Sequence, residues 1–197
     1  MKRSILQKAA ELFLKYGFKS VTMDDIASEL GMSKKTIYAN FETKLLLIKE
    51  VTFFVFDEIN EGIQQICSAN FSPIEEIYEI KSLVSRQLHN EESYPMYQLQ
   101  KYYPKIYKAL HDKQFELIKS CVADNLNKGI SQGLYRKEID TNFITRIYFI
   151  GVMGIKNMEL FPQEEFSSSY LMESYLDYHL RGISTEKGLQ LLIQVQK

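Results

Sequence analysis

Proline is scarce in this 197-residue chain: there are four, with nine glycines, and long stretches contain neither. A chain broken so rarely favours long helices over turn-rich sheets. Cysteine is scarcer still. Cys67 and Cys121 stand far apart with no CxxC spacing, so neither a disulfide framework nor a cysteine-based metal site is expected. Two reduced, partly buried thiols are the expectation, with a redox switch as the alternative. No uninterrupted run of about 18 apolar residues occurs, which argues against a membrane span. Met1 is followed by Lys2 and Arg3, but Gln7, Lys8 and Glu11 break up the next stretch, so no secretory leader is expected and the cytoplasm is the expected compartment.

Catalytic signatures are missing as well. No GxSxG, P-loop or GxGxxG is present. His89, His111 and His179 are isolated, with no HxxxH or HExxH spacing, so no metal or cofactor is expected. The acidic pairs Glu75–Glu76, Glu91–Glu92 and Glu164–Glu165 are adjacent residues. On a helix such neighbours diverge and mark solvated faces. The chain does not read as an enzyme.

What is present is enough material for a core, with 45 % apolar and 25 % charged residues at a net charge of −1. The charge is uneven. Residues 1–50 carry nine Lys/Arg against six Asp/Glu, whereas the rest carries fifteen against nineteen. A basic first quarter on an acidic body points to that quarter as the part that meets a polyanion.

Local signals divide the chain into helices. Ile5, Ala9, Leu12, Phe13 and Tyr16 fall on one helical face, Ser4 with Gln7 reads as a capping box, and Gly17 is the stop. Thr22 with Asp25 opens a second helix that ends at Gly31. Ser33 caps a short third, with Ile37 and Phe41 inward. Thr43 caps a run of about 25 residues, nearly 40 Å of helix. Ser72 and Pro73 open the next. Pro95 and Pro104 bracket a short piece. A long helix is expected from Pro104 towards Gly129 or Gly133, another from Asp140 to Pro162, a further one from Ser168 to Arg181 stopped by Gly182, and a last after Thr185. No strand pattern, repeat or low-complexity tract is apparent. The fold class is all-α.

The stretch TMDDIASELGMSKKTIYANF holds Ala27, Gly31 and Ile37 at intervals of four and six, the skeleton of a helix-turn-helix. With Ile37 inward, a wheel at 100° per residue turns Lys35 and Ala39 outward, sets Thr36 beside them, and puts Lys34 and Tyr38 on one flank. That surface suits a major groove. Lysine donates to guanine O6 or N7, and small methyls touch the thymine methyl. The flank and Lys44 suit phosphates.

The segment ILQKAAELFLKYGFKSVTMDDIASELGMSKKTIYANFETKLLL resembles the DNA-binding head of the TetR family of bacterial regulators. The likeness covers residues 5 to 47 and rests on the AAxLFxxxG helix, the T-M-x-x-I-A start, the G-M-S turn, the T-I-Y-x-x-F helix and the T-K after it. It implies that Thr22, Tyr38 and Lys44 contact phosphates, and that Ser33, Lys34, Lys35, Thr36, Ala39 and Asn40 lie on the recognition helix. Lys35, Ala39 and Leu45 depart from the family's usual residues. The first two bear on base preference and the third on the start of the fourth helix.

The expected organisation is a three-helix DNA-binding domain over 1–46 and a ligand-binding and dimerisation bundle over 47–197. The expected partners are a palindromic double-stranded operator, a small-molecule effector and a second copy of the chain. Gly151, Gly154, Tyr175 and Tyr178 on the two substantial late helices are dimer-interface candidates, with packing inside the protomer as the alternative for the glycines. Tyr94, Tyr97, Tyr102, Tyr103 and Tyr107, with Met153, are candidates for lining a ligand pocket, with core and rim as the alternative. The reading is a ligand-modulated regulator, most simply a repressor. Its rivals are a helical module that sequesters an apolar ligand or protein partner without reading DNA, and a small helical enzyme.

Overall fold

The computed structural model describes residues 1–88 and 93–196; His89 and the Glu91–Glu92 pair lie outside the described residues. Among the described residues ten helices run in order: α1 (Lys2–Tyr16), α2 (Met23–Glu29), α3 (Lys34–Asn40), α4 (Lys44–Ser68), α5 (Pro73–Gln87), α6 (Ser93–Tyr102), α7 (Pro104–Ser131), α8 (Thr141–Gly154), α9 (Ser168–Ile183) and α10 (Glu186–Val195). The fold is all-α. The only strand-like pairing among the described residues is an isolated antiparallel bridge between Tyr135 and Ser184.

Most helix starts follow side-chain chemistry legible in the chain. Thr22 accepts from the Asp25 N–H while the Thr22 N–H donates to the Asp25 carboxylate, a complete capping box. Ser72 and Glu75 do the same for α5, with Pro73 in the first turn. Ser33, Thr43, Asp140 and Thr185 each accept a backbone N–H at the start of α3, α4, α8 and α10.

Some expectations need correction. The first helix begins at Lys2, so Ser4 is inside it and donates to the Met1 carbonyl at 2.7 Å instead of forming a box with Gln7. Tyr16, expected inward, is half exposed. The helix from Asp140 ends at Gly154, short of Pro162. The Asn157 side chain there accepts the Glu159 N–H at 2.9 Å and holds the chain in a turn. Conversely, Gly182 does not stop α9, which continues to Ile183. The chain turns only where Arg136 N–H donates to Ile183 O and Thr185 N–H to Leu134 O.

Two apolar cores form. The first joins α1–α3 to the start of α4 through Ile5, Phe13, Ile26, Ile37, Phe41 and Leu47, all without solvent contact. It continues past residue 46 into Ile48 and Val51, and takes in Leu99, Ile106 and Leu110 from α6 and α7. The second gathers α5, the end of α7, α9 and α10 around Ile74, Leu126, Tyr135, Leu176, Leu180 and Leu192. Gly17 ties α1 to α6. Its φ of +83° suits glycine, and the Gln98 amide lies where a Cβ would project, 2.7 Å away. Gln98 Oε1 accepts the Lys19 N–H at 3.3 Å.

His179 is buried between the rings of Tyr148 and Tyr175, at centroid distances of 5.0 and 5.8 Å. Burial pushes its pKa down to about 4. Above pH 6.5 the imidazole is neutral both folded and unfolded. Below that the unfolded chain takes up a proton that the fold refuses, so stability falls as pH drops towards 4. Between pH 7.5 and 5, urea denaturation is expected to lose about 2 kcal/mol from this residue. His179→Phe should flatten the curve in that window, and an unchanged slope would remove His179 as its source.

Candidate DNA-binding face and internal cavity

The α2–α3 pair is set by local contacts. Gly31, at φ +60°, lets the chain reverse directly after α2. Met32 N–H bonds to Ala27 O at 2.9 Å, and Ile37 is fully buried beneath α3. With Ile37 inward, Ser33, Lys34, Lys35, Tyr38 and Ala39 are exposed, and Thr36 and Asn40 are half-buried. The Ser33 hydroxyl caps Thr36 N–H at 3.1 Å, and Asn40 Nδ2 donates back to Thr36 O. Both therefore hold the helix while standing at its surface.

The basic side chains differ in freedom. Lys34 Nζ donates to Asp24 Oδ2 at 2.8 Å and lies 6.0 Å from the Tyr38 ring. The Asp24 contact raises its pKa. Lys35 has no ion pair or hydrogen bond among the described residues. Lys44 Nζ reaches Lys19 O at 3.3 Å, and burial lowers its pKa. The Asp25 carboxylate is held below its usual range by the Thr22 backbone and hydroxyl. The Asp24 contact leaves no mark in the sequence; Lys and Asp ten residues apart across a turn give no periodic signal.

A cavity of about 230 Å³ lies farther into the molecule, lined by α4, α5 and α7 with contributions from α1, α6, α8 and α9. Met153 is in its wall. The five tyrosine candidates are not. Tyr94, Tyr97 and Tyr102 are exposed, Lys101 Nζ donates to the Tyr97 hydroxyl at 2.8 Å, and Lys19 lies over the Tyr102 ring. Tyr103 and Tyr107 pack against the first core. The two prolines that gather these rings place α6 over the head, so the rings cover that junction. The wall instead carries Thr52, Glu76, Gln114 and Asn125 within apolar stripes. A polar residue in phase with an apolar face, such as Gln114 between Leu110 and Leu117, is the signal by which it is found.

The thiols of Cys67 and Cys121 face each other across α4 and α7, and Gln64 Nε2 donates to Cys121 Sγ at 3.9 Å. Burial pushes Cys67 up to about 12 and raises Cys121 as well. Thiolate is the reactive form. Alkylation by iodoacetamide at pH 8 is therefore expected to run at least about a hundredfold slower on the native chain than in urea. Comparable rates would show that these helices open readily.

Of the interface candidates, Gly151 and Tyr175 meet each other within the chain. The Tyr175 ring fills the space of a Gly151 Cβ, and its hydroxyl donates to Tyr148 O at 3.0 Å. Gly154 has open space beside it, and Tyr178 is 78 % exposed. Phe143, Ile147 and Ile150 on α8 and Tyr170 on α9 add an exposed apolar surface. No helix among the described residues is long and apolar enough to cross a membrane.

Residues 5–51 match the profile of the bacterial regulatory proteins of the tetR family. Over nearly its whole length the chain is similar to the HTH-type transcriptional repressor KstR2 of Mycolicibacterium smegmatis, at 25 % identity covering 93 % of this chain and 91 % of that protein. A transcriptional regulator from Cytophaga hutchinsonii shares the fold with a TM-score of 0.72, at 20 % identity, covering 93 % and 98 % of the two chains. So does the complex of triclosan with SmeT, a Stenotrophomonas maltophilia efflux-pump repressor, with a TM-score of 0.66 at 13 % identity over 94 % and 92 %. The head thus matches the tetR-family model over residues 5–51, and over nearly its full length the chain is similar to transcriptional regulators of that family.

Proposed function

We propose that the chain binds a near-palindromic operator as a homodimer, and that a small molecule in the internal cavity alters that binding. The observation that carries the reading is the outward face of α3. There an unpaired Lys35 stands beside Ala39 on a helix held from below by Ile37. Lys35, Thr36 and Ala39 face base edges, while Thr22, Ser33, Lys34, Tyr38, Asn40 and Lys44 serve the backbone and the helix itself. One seven-residue helix reaches few base pairs, and two copies on successive major grooves supply the remainder.

The DNA-binding unit is residues 1–46, its core completed by the first turns of α4, and 47–197 form the body. Gly154, Tyr178 and the exposed apolar residues of α8 and α9 belong to the dimer contact, with Gly151 and Tyr175 supporting it from within. Ligand shifts the balance between head spacings that fit the grooves and those that do not. KstR2 and SmeT are described as repressors, and this chain is read as a repressor acting in the cytoplasm. It acts by binding, not by catalysis.

Selection from random duplex DNA at fixed moderate salt tests this. A palindromic site should be enriched. No enrichment over bulk DNA would sink the operator reading and favour a module that sequesters its ligand.

A further inference from the structure

We propose that the cavity takes a single unbranched alkyl chain bearing an uncharged hydroxyl, in its simplest form a medium-chain primary alcohol, with the hydroxyl at Gln114. For its consequence at DNA the inference rests on the cavity's proposed regulatory role, but binding is a property of the walls alone.

Shape argues for a chain. The lining of α4 runs from Thr52 to Ile63 and that of α7 from Leu110 to Asn125. At the helical rise these stretches span about 16 and 22 Å. A volume of about 230 Å³ drawn out along such walls is narrow. It lies below the usual range of drug-sized sites, and a fused-ring molecule needs width that a chain does not.

Charge argues against an ion. Each charged group in the wall already has a partner. Lys81 pairs with Glu173, Glu76 is held by Asn125 and Lys128, and Lys156 is engaged within the protein. A carboxylate or ammonium entering this space would lose its hydration without finding a free counter-charge.

Gln114 places the one polar group. Its amide oxygen is buried and has no hydrogen-bond partner. Lys113 lies near the rings of Phe53 and Phe56, and Gln64 meets Cys121, so α7 runs in the same direction as α4. Gln114 therefore sits towards the head-side end of the cavity. Beyond it the walls are mainly apolar, with Ile59, Ile63, Ile77, Ile118 and Val122, and the polar Glu76 and Asn125 at the far end bond to each other. A donor at the oxygen would fill the missing bond, and the tail would run along those side chains. A hydroxyl both donates and accepts, so it satisfies the amide in either orientation, whereas an ether only accepts.

Isothermal titration of the full-length protein with octan-1-ol, octyl methyl ether, octanoate and 2-naphthol tests the assignment, with Gln114→Leu alongside. Octan-1-ol is expected to bind at least about fivefold more tightly than each of the others. Gln114→Leu should hold the ether as well as wild type does and lose the preference for the alcohol. Its melting temperature should be equal or higher, because the change removes an unpartnered buried oxygen. Tightest binding by octanoate or 2-naphthol, a preference that survives in Gln114→Leu, or no binding by any chain would overturn the proposal. Operator binding in the same samples separates the two readings. Alcohol binding with the expected preference but unchanged DNA affinity upholds the ligand class and refutes the cavity's regulatory role.

Discussion

Asn125→Leu lowers stability by about 3 kcal/mol, read as a shifted urea midpoint with unchanged slope. Asn125 is almost fully buried at the end of α7 and links three elements. Its Nδ2 donates to Pro73 O at 2.8 Å and to Glu76 Oε1 at 2.7 Å, and its Oδ1 accepts the Tyr135 hydroxyl at 3.1 Å. Leucine has a similar volume, so cavity formation adds little. The loss comes from the groups left behind: a buried carboxylate with only Lys128, plus an unpaired Tyr135 hydroxyl. Groups left so cost about 1–3 kcal/mol each, more for a charge. Lys128 Nζ, at 3.2 Å from Glu76 and 2.8 Å from Phe71 O, limits the damage. Adding Glu76→Leu should recover part of the loss, since Lys128 can turn to water once its partner is gone. A loss below about 1 kcal/mol for Asn125→Leu would show that water or side-chain rearrangement re-pairs these groups.

Lys35→Ala weakens binding to the selected operator by about 1–3 kcal/mol per half-site and relaxes choice at one base position. The side chain has no partner within the protein to give up, so a contact with a guanine edge would add to affinity without breaking an ion pair. Lys44→Ala is expected to weaken all sequences alike and to reduce the salt slope by about one per half-site. Tyr38→Phe should also act evenly but leave the slope alone, because a phenol hydroxyl carries no charge to displace counterions. Fluorescence anisotropy on matched and single-substituted duplexes at two salt concentrations distinguishes these patterns. An even loss with a reduced slope for Lys35→Ala would move Lys35 from base reading to the backbone.

Much of the head was legible because its determinants are short-range. Thr22, Ser33 and Thr43 can cap because their hydroxyls reach N–H groups three residues on, and Gly31 can turn because it lacks a Cβ. Ile37 is a similar case. Once a helix starts at Ser33, the period of 3.6 decides that Lys35 and Ala39 face away from it. The same reasoning misplaced the start of α1, where Ser4 had an alternative backbone partner, and the end of α8, where Asn157 formed a turn that apolar periodicity does not register.

The body depended on packing between distant residues. A tyrosine near two prolines looks the same in sequence whether it lines a cavity or covers a seam. The docking of α6 on Gly17 and Phe18 decided that Tyr94, Tyr97 and Tyr102 face outward. Gly151 was legible as a place of close approach, but whether Tyr175 of the same chain or a second copy would fill it was not. Gln114 joined a cavity wall only because α4, α5 and α7 leave a gap between their stripes. The sequence by itself determined the helices, most of their caps and the outward face of α3, because hydrogen bonds within a turn and helical periodicity act locally. Tertiary structure decided where the cavity opens, which polar groups line it and which aromatic rings stay outside, because those depend on how surfaces from remote parts of the chain fit together.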